Sequence, residues 1–147
     1  MVTTSDDKSI LAWEIGIPVP IKRIAEPHMY SLVRASPHPS GKSVAFQSSD
    51  NQIVVYASTD RFRQNRKKVF KGHNCAGYAI DVNISPDGQF VMTGDTGGFV
   101  CFYDWKTTKM LHKIMASEGP VTCAQWHPQE TSKVVTAGLD GSIKYWD

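Results

Sequence analysis

Residues 137–147 read AGLDGSIKYWD, a turn rich in Gly and Asp that runs into a short β-branched and aromatic strand. Three other segments align with it on an aromatic residue: TTSDDKSILAWE (residues 3–14) on Trp13, QSSDNQIVVYA (47–57) on Tyr56, and GDTGGFVCFYD (94–104) on Tyr103. Together with Trp146 these aromatics stand 43, 47 and 43 residues apart. Six positions before them lie Asp7, Asp50, Gly97 and Asp140, and three before them Ile10, Ile53, Val100 and Ile143, so a turn precedes a strand each time. A second marker keeps the same period: Pro39, Pro86 and Pro128, each followed by turn residues, precede their aromatics by 17, 17 and 18 residues.

Short runs such as QIVVYAS, QFVMTG and KVVTAG alternate with Gly, Asp, Asn, Pro and Ser clusters, an all-β rhythm with little helical periodicity. A repeat of this length, with four short strands and a terminal Trp-Asp, predicts a WD-repeat β-propeller of four-stranded antiparallel sheets. With strands a to d numbered from the axis outward, the chain enters at strand b near Val2 and stops after strand c of a fourth unit. That gives 14 strands, about 3.5 blades, in a single partial propeller with blade portions at approximately 1–26, 27–71, 72–115 and 116–147.

Composition fits one globular domain: 147 residues, 41% hydrophobic and 20% charged. No uncharged apolar run approaches the roughly 18 residues of a spanning helix, and MVTTSDDKSI lacks the blocks of a signal peptide. Neither membrane association nor a secreted destination is expected. Cys75, Cys101 and Cys123 lack a Cys-x-x-Cys pair and read as small buried hydrophobes in a reducing compartment.

Asp95-Thr96-Gly97 matches the triplet that carries the carboxylate of aspartic proteases, but that chemistry needs two acids sharing a proton. No second such triplet exists, and the sister repeats place Ser5-Asp6-Asp7, Ser48-Ser49-Asp50 and Gly138-Leu139-Asp140 at the same b-to-c turn. Asp95 is therefore expected in a surface hairpin. His28, His38, His73, His112 and His127 show no metal-ligand spacing. Gly94 to Gly98 lacks the following helix of a phosphate loop, and no nucleophile stands in an elbow motif. The expectation is a protein without catalytic residues, cofactor, metal or small-molecule substrate.

In WD-repeat proteins a buried network joins the His of a Gly-His pair, a Ser or Thr on strand b, the turn Asp and the Trp on strand c. Thr3, Asp7 and Trp13 resemble that set in the first unit, and Thr136, Asp140 and Trp146 in the last. The third has Gly72-His73 and Thr93, but Gly97 and Tyr103 at the other two places.

Charge is uneven. The net charge is +2, yet six of the basic residues (Arg61, Arg63, Arg66, Lys67, Lys68 and Lys71) fall between Asp60 and Lys71 with one acid among them. Arg61 to Lys68 is expected to be a loop that follows strand c of the second blade and leads into the next strand at Val69-Phe70. Its candidate contact set is Arg61, Phe62, Arg63, Arg66, Lys67 and Lys68, with arginines forking onto phosphates and Phe62 stacking on a base or anchoring in a protein groove.

RFRQNRKKVFKGHNCAGYAIDVNISPDG, then GDTGG with DWKTTK, then WHPQETSKVVTAGLDGSIKYWD together resemble the carboxyl-terminal half of the propeller in the pre-mRNA-processing factor 17 family. The opening TTSDDKSILAWE, IAEPHMYS and QSSDNQI resemble it as well. The resemblance implies part of a seven-bladed ring in a nuclear, non-catalytic scaffold of the spliceosome. Its partners would be spliceosomal proteins, and small nuclear RNA or pre-mRNA through the basic segment, around the transition to exon ligation. A generic WD-repeat adaptor, of a ubiquitin ligase or a chromatin assembly, is the alternative.

Overall fold

The computed structural model describes residues 1–147, the side chain of Asp60 excepted. Among the described residues there is no α-helix, and 14 strands form four antiparallel sheets. The first sheet is β1 (Val2–Thr4), β2 (Ile10–Trp13) and β3 (Pro20–Ile24). The second is β4 (Leu32–Pro37), β5 (Ser43–Ser48), β6 (Gln52–Ala57) and β7 (Gln64–Lys71). The third is β8 (Val82–Ile84), β9 (Phe90–Gly94), β10 (Phe99–Asp104) and β11 (Met110–Met115), and the fourth β12 (Val121–Trp126), β13 (Val134–Gly138) and β14 (Ile143–Trp146). The partial propeller read from the repeat is the fold, with Trp13, Tyr56, Tyr103 and Trp146 each on strand c of its blade.

Side-chain alternation explains why the sheets stack. Successive residues of a strand point to opposite faces, so a blade between two others must be apolar on both. In β6, Ile53 and Val55 pack toward the third blade with Val91, Cys101 and Tyr103, while Val54 and Tyr56 pack toward the first with Ile10. In β10, Cys101 and Tyr103 face back to the second blade, and Val100 joins Met92, Val121 and Ala124 toward the fourth. Three cores thus separate four blades, each worth roughly 1.5–3 kcal/mol per large side chain buried.

The turns are locally encoded. The position five residues before each aromatic takes a left-handed φ in every blade: Lys8 (66°), Asn51 (66°), Gly98 (90°) and Gly141 (84°). Asn and Gly adopt it readily, whereas Lys8 bears a cost of about 1 kcal/mol. At Gly94 a Cβ would stand 1.9 Å from the carbonyl oxygen of Val121, so only hydrogen lets the fourth blade's inner strand approach.

The basic segment differs from the expected loop. A 3-10 turn at Asp60–Phe62 is followed directly by β7, so Arg66, Lys67 and Lys68 lie on the outermost strand of the second blade. The loop expectation failed because the run of charges masks strand periodicity; on an edge strand, charged side chains face solvent and discourage further pairing.

Candidate functional site

Phe62 is the first correction within the basic segment. Its ring is buried, stacked on Tyr56 at 5.4 Å and edge-on to Phe46 at 6.2 Å, and so is unavailable to a base or a partner groove. Left-handed backbone at Arg61 and Phe62 accompanies the inward turn. Phe46 occupies the strand-b position where the other blades carry Thr3, Thr93 and Thr136, and the second blade fills that place with three aromatic rings. Lys68 also leaves the candidate surface. Its ammonium donates to the Trp105 carbonyl and lies 4.7 Å over the Trp105 ring. Burial holds its pKa below the usual lysine value, with Asp104 opposing.

What remains exposed gains two residues that the sequence reading missed. Arg61, Arg63, Arg66 and Lys67 stay exposed, and packing of the first blade on the second brings Lys22 and Arg23 of β3 beside them. A cleft of about 550 Å³ opens between β3 and β7, lined by Lys22, Arg23, Arg63 and Arg66 around the single carboxylate Glu26, with Tyr56 and Phe62 contributing apolar wall. Glu26 accepts from Arg66 at 3.1 Å and stands 3.3 Å from His28. Lys22 donates to the Arg61 carbonyl, and Arg23 lies 4.0 Å from Asp7. Two charges in β3 carry no sequence signal of their own; only the packing of blade on blade joins them to the segment 40 residues away. The guanidinium of Arg63 has no hydrogen-bond or ion-pair partner among the described residues, and this rim can present cations to an extended polyanion.

The polar residues of the first and last units do not form the buried network expected: Thr3, Asp7 and Asp140 are exposed, and Trp13 and Trp146 half-buried. The Trp13 indole donates to Thr3 Oγ1 at 2.8 Å, and the Trp146 indole to Thr136 Oγ1 at 3.0 Å. Asp7 and Asp140 are not joined to those pairs. Asp7 accepts from Ser9 backbone N–H and hydroxyl; Asp140 accepts from Ser142 in the same way and from the Glu118 N–H. Both carboxyls are held below the ordinary aspartate value, chiefly by those serine hydroxyls.

In the third blade, His73 spans two blades instead. Tyr103 Oη donates to His73 Nδ1 at 2.9 Å, His73 Nε2 to Gln47 Oε1 at 2.8 Å, Gln47 Nε2 to Thr93 Oγ1 at 2.7 Å, and Thr93 to the Gly94 carbonyl at 2.9 Å. The Gln47 amide oxygen can only accept, which puts the imidazole proton on Nε2, and burial favours the neutral ring, so Nδ1 accepts from Tyr103. Burial pushes the His73 pKa down to about 4, with Asp95 opposing and Lys113 assisting. Gln47 gave no signal in the sequence because it lies on the neighbouring blade, outside the repeat's own set.

Asp95 is also corrected. It occupies the b-to-c turn but is buried, not on the surface. Its Oδ1 accepts from the Gly97 N–H at 2.6 Å and its Oδ2 from the Asn74 N–H at 2.7 Å, the second bond matching that of Asp140 to Glu118. A Cβ at residue 97 would stand 2.9 Å from Asp95 Oδ1, so Gly97 vacates the turn-aspartate position and Asp95 fills it from two residues upstream. Burial pushes the Cys101 thiol up to about 11, away from nucleophilic behaviour. Among the described residues no group of three or more His, Cys, Asp or Glu could hold a metal ion.

Comparison with known proteins matches this architecture. The family profile described as "Anaphase-promoting complex subunit 4 WD40 domain" aligns with residues 39–129. Human pre-mRNA-processing factor 17 is 51% identical over 146 residues, covering 99% of this chain and 25% of that protein. The Saccharomyces cerevisiae pre-mRNA-processing factor 17 is 37% identical over 99% of this chain and 32% of its own length. Mouse WD repeat-containing protein 25 is 25% identical over 97% of the chain and 26% of its own length. The chain spans about a quarter to a third of the length of these curated relatives. On the blades and on these matches, the chain belongs to the WD40-repeat family and is similar over nearly its whole length to pre-mRNA-processing factor 17.

Proposed function

We propose that this chain is propeller from a pre-mRNA splicing factor: a non-catalytic, nuclear scaffold of the spliceosome that acts around the transition to exon ligation. The observation that carries the reading is the 51% identity to human pre-mRNA-processing factor 17 across 99% of the chain. The resemblance read from DWKTTK and WHPQETSKV, stretches whose composition blade geometry alone does not require, supports the same reading. Burial of His73 and Cys101, which disfavours the imidazolium of the one and the thiolate of the other, agrees with a role in holding partners.

The exposed cations of the inter-blade rim are its contact with RNA, small nuclear or pre-messenger. With Phe62 and Tyr56 buried, the contact is to the phosphate backbone without base stacking, and carries little sequence preference. Affinity purification of the full-length protein from nuclear extract, followed by mass spectrometry and RNA sequencing, tests the reading. Spliceosomal proteins and small nuclear RNAs are the expected co-purified set. Recovery of a ubiquitin ligase or chromatin assembly without them would replace it by the adaptor reading.

A further inference from the structure

Glu26 is the odd group in the cationic cleft. Lys22, Arg23, Arg63 and Arg66 all suit a phosphate, whereas Glu26, the one carboxylate among the described lining residues, repels it. Its place is well defined. Just past β3, its backbone N–H donates to Met29 Sδ at 3.3 Å and its carbonyl accepts from the Met29 N–H at 3.0 Å. In the side chain, Arg66 donates to Oε2 at 3.1 Å and His28 Nε2 stands 3.3 Å from the same oxygen. No hydrogen bond reaches Oε1 among the described residues, and the side chain is 49% exposed. A fixed carboxylate thus holds one oxygen open to whatever the cations bring in.

A ligand in the cleft must supply that oxygen with a hydrogen. The phosphodiester backbone has none, since its oxygens only accept. Bases carry N–H donors, but no exposed aromatic ring lines the cleft to hold them, with Tyr56 and Phe62 buried. The remaining donor is the ribose 2′-hydroxyl, which stands beside the phosphates along the strand and which deoxyribose lacks. A hydrogen bond from it to a carboxylate is charge-assisted and offsets part of the repulsion, whereas DNA meets the repulsion alone.

We propose that Glu26 Oε1 accepts a hydrogen bond from a ribose 2′-hydroxyl, which makes Glu26 the residue by which the cleft distinguishes RNA from DNA. The inference rests on the reading of this rim as an RNA contact and adds to it the group that selects the sugar.

Fluorescence anisotropy of the full-length protein with labelled oligouridylate, and with its 2′-deoxy-2′-fluoro analogue, isolates the hydroxyl. The analogue keeps the base, the phosphates and the sugar pucker of RNA but has no hydrogen to donate. The wild type is expected to bind the ribose oligomer roughly tenfold more tightly, and Glu26→Ala to bind the two within about twofold of each other. Glu26 is exposed, so the variant keeps the fold. Lys22, Arg63 and Arg66 replaced together by Gln should weaken both oligomers, which places their binding at the rim. Where that triple substitution does weaken binding, equal wild-type affinity for the two oligomers, or a preference of the same size in Glu26→Ala, would overturn the proposal and leave the rim as an RNA contact. Binding that the triple substitution leaves unchanged would remove the rim from RNA binding and the proposal with it.

Discussion

Asp95 shows how a residue that looks chemical in sequence becomes structural in the fold. Its two oxygens satisfy the N–H groups of Gly97 and Asn74, and Lys113 lies 4.0 Å away. Asp95→Asn keeps one acceptor but turns an amide donor toward a backbone donor. The expected cost is about 1–3 kcal/mol, read as a lower denaturation midpoint at constant m. An unchanged midpoint would mean that the turn does not depend on the carboxylate. His73 makes a pH prediction. Its folded pKa of about 4 lies below the ordinary 6.5, so as pH falls the unfolded chain binds a proton that the folded chain refuses. Its contribution to stability is present above pH 6.5 and lost as pH falls toward 4, at a slope of up to about 1.4 kcal/mol per unit. His73→Gln should flatten denaturation midpoints measured across that window; a slope equal to the wild type's would place the titration elsewhere.

At the scale of the element, β7 and β3 together make a surface that neither announces alone. The b-to-c hairpins were legible in sequence because turn chemistry is local, as with Asn51 and Gly98 at the left-handed position. The rim was not, because its cations come from separate blades and because Phe62, flanked by arginines, turns inward to Tyr56 and Phe46. Two substitutions separate these roles. Phe62→Ala should cost about 3–5 kcal/mol of stability and leave the salt dependence of RNA binding alone. Lys22, Arg63 and Arg66 replaced together by Gln should do the reverse, because exposed ion pairs add little stability. The slope of log affinity against log salt should become shallower by about 0.7 for each phosphate that is no longer neutralised on single strands. If the slope moves with Phe62→Ala and not with the triple substitution, RNA binds elsewhere on the protein.

The whole molecule is a stack whose inner blades are closed on both faces and whose outer blades are open on one. Tyr103 and Tyr56 on the inner blades are 0% and 3% exposed, while Ile143 and Tyr145 on the last are 76% and 64% exposed. The repeat spacing made this order readable from the chain alone, since a constant period of turn, strand and aromatic fixes which strands share a sheet. It left the bonds between blades unread, because Gln47 to Thr93 and His73 to Gln47 join residues of different repeats, and repeats compared with themselves carry no information about such pairs. Stacked blades offer wide faces and edges on which a scaffold of the proposed kind would hold its partners. The direct test is immunodepletion of the protein from splicing extract, with full-length protein added back, and gel analysis of a labelled pre-mRNA. On depletion, free 5′ exon and lariat intermediate should accumulate, and addition of the protein should restore exon ligation. Unaltered yields of ligated exons after depletion, or arrest before the first cleavage, would contradict a scaffold acting around exon ligation.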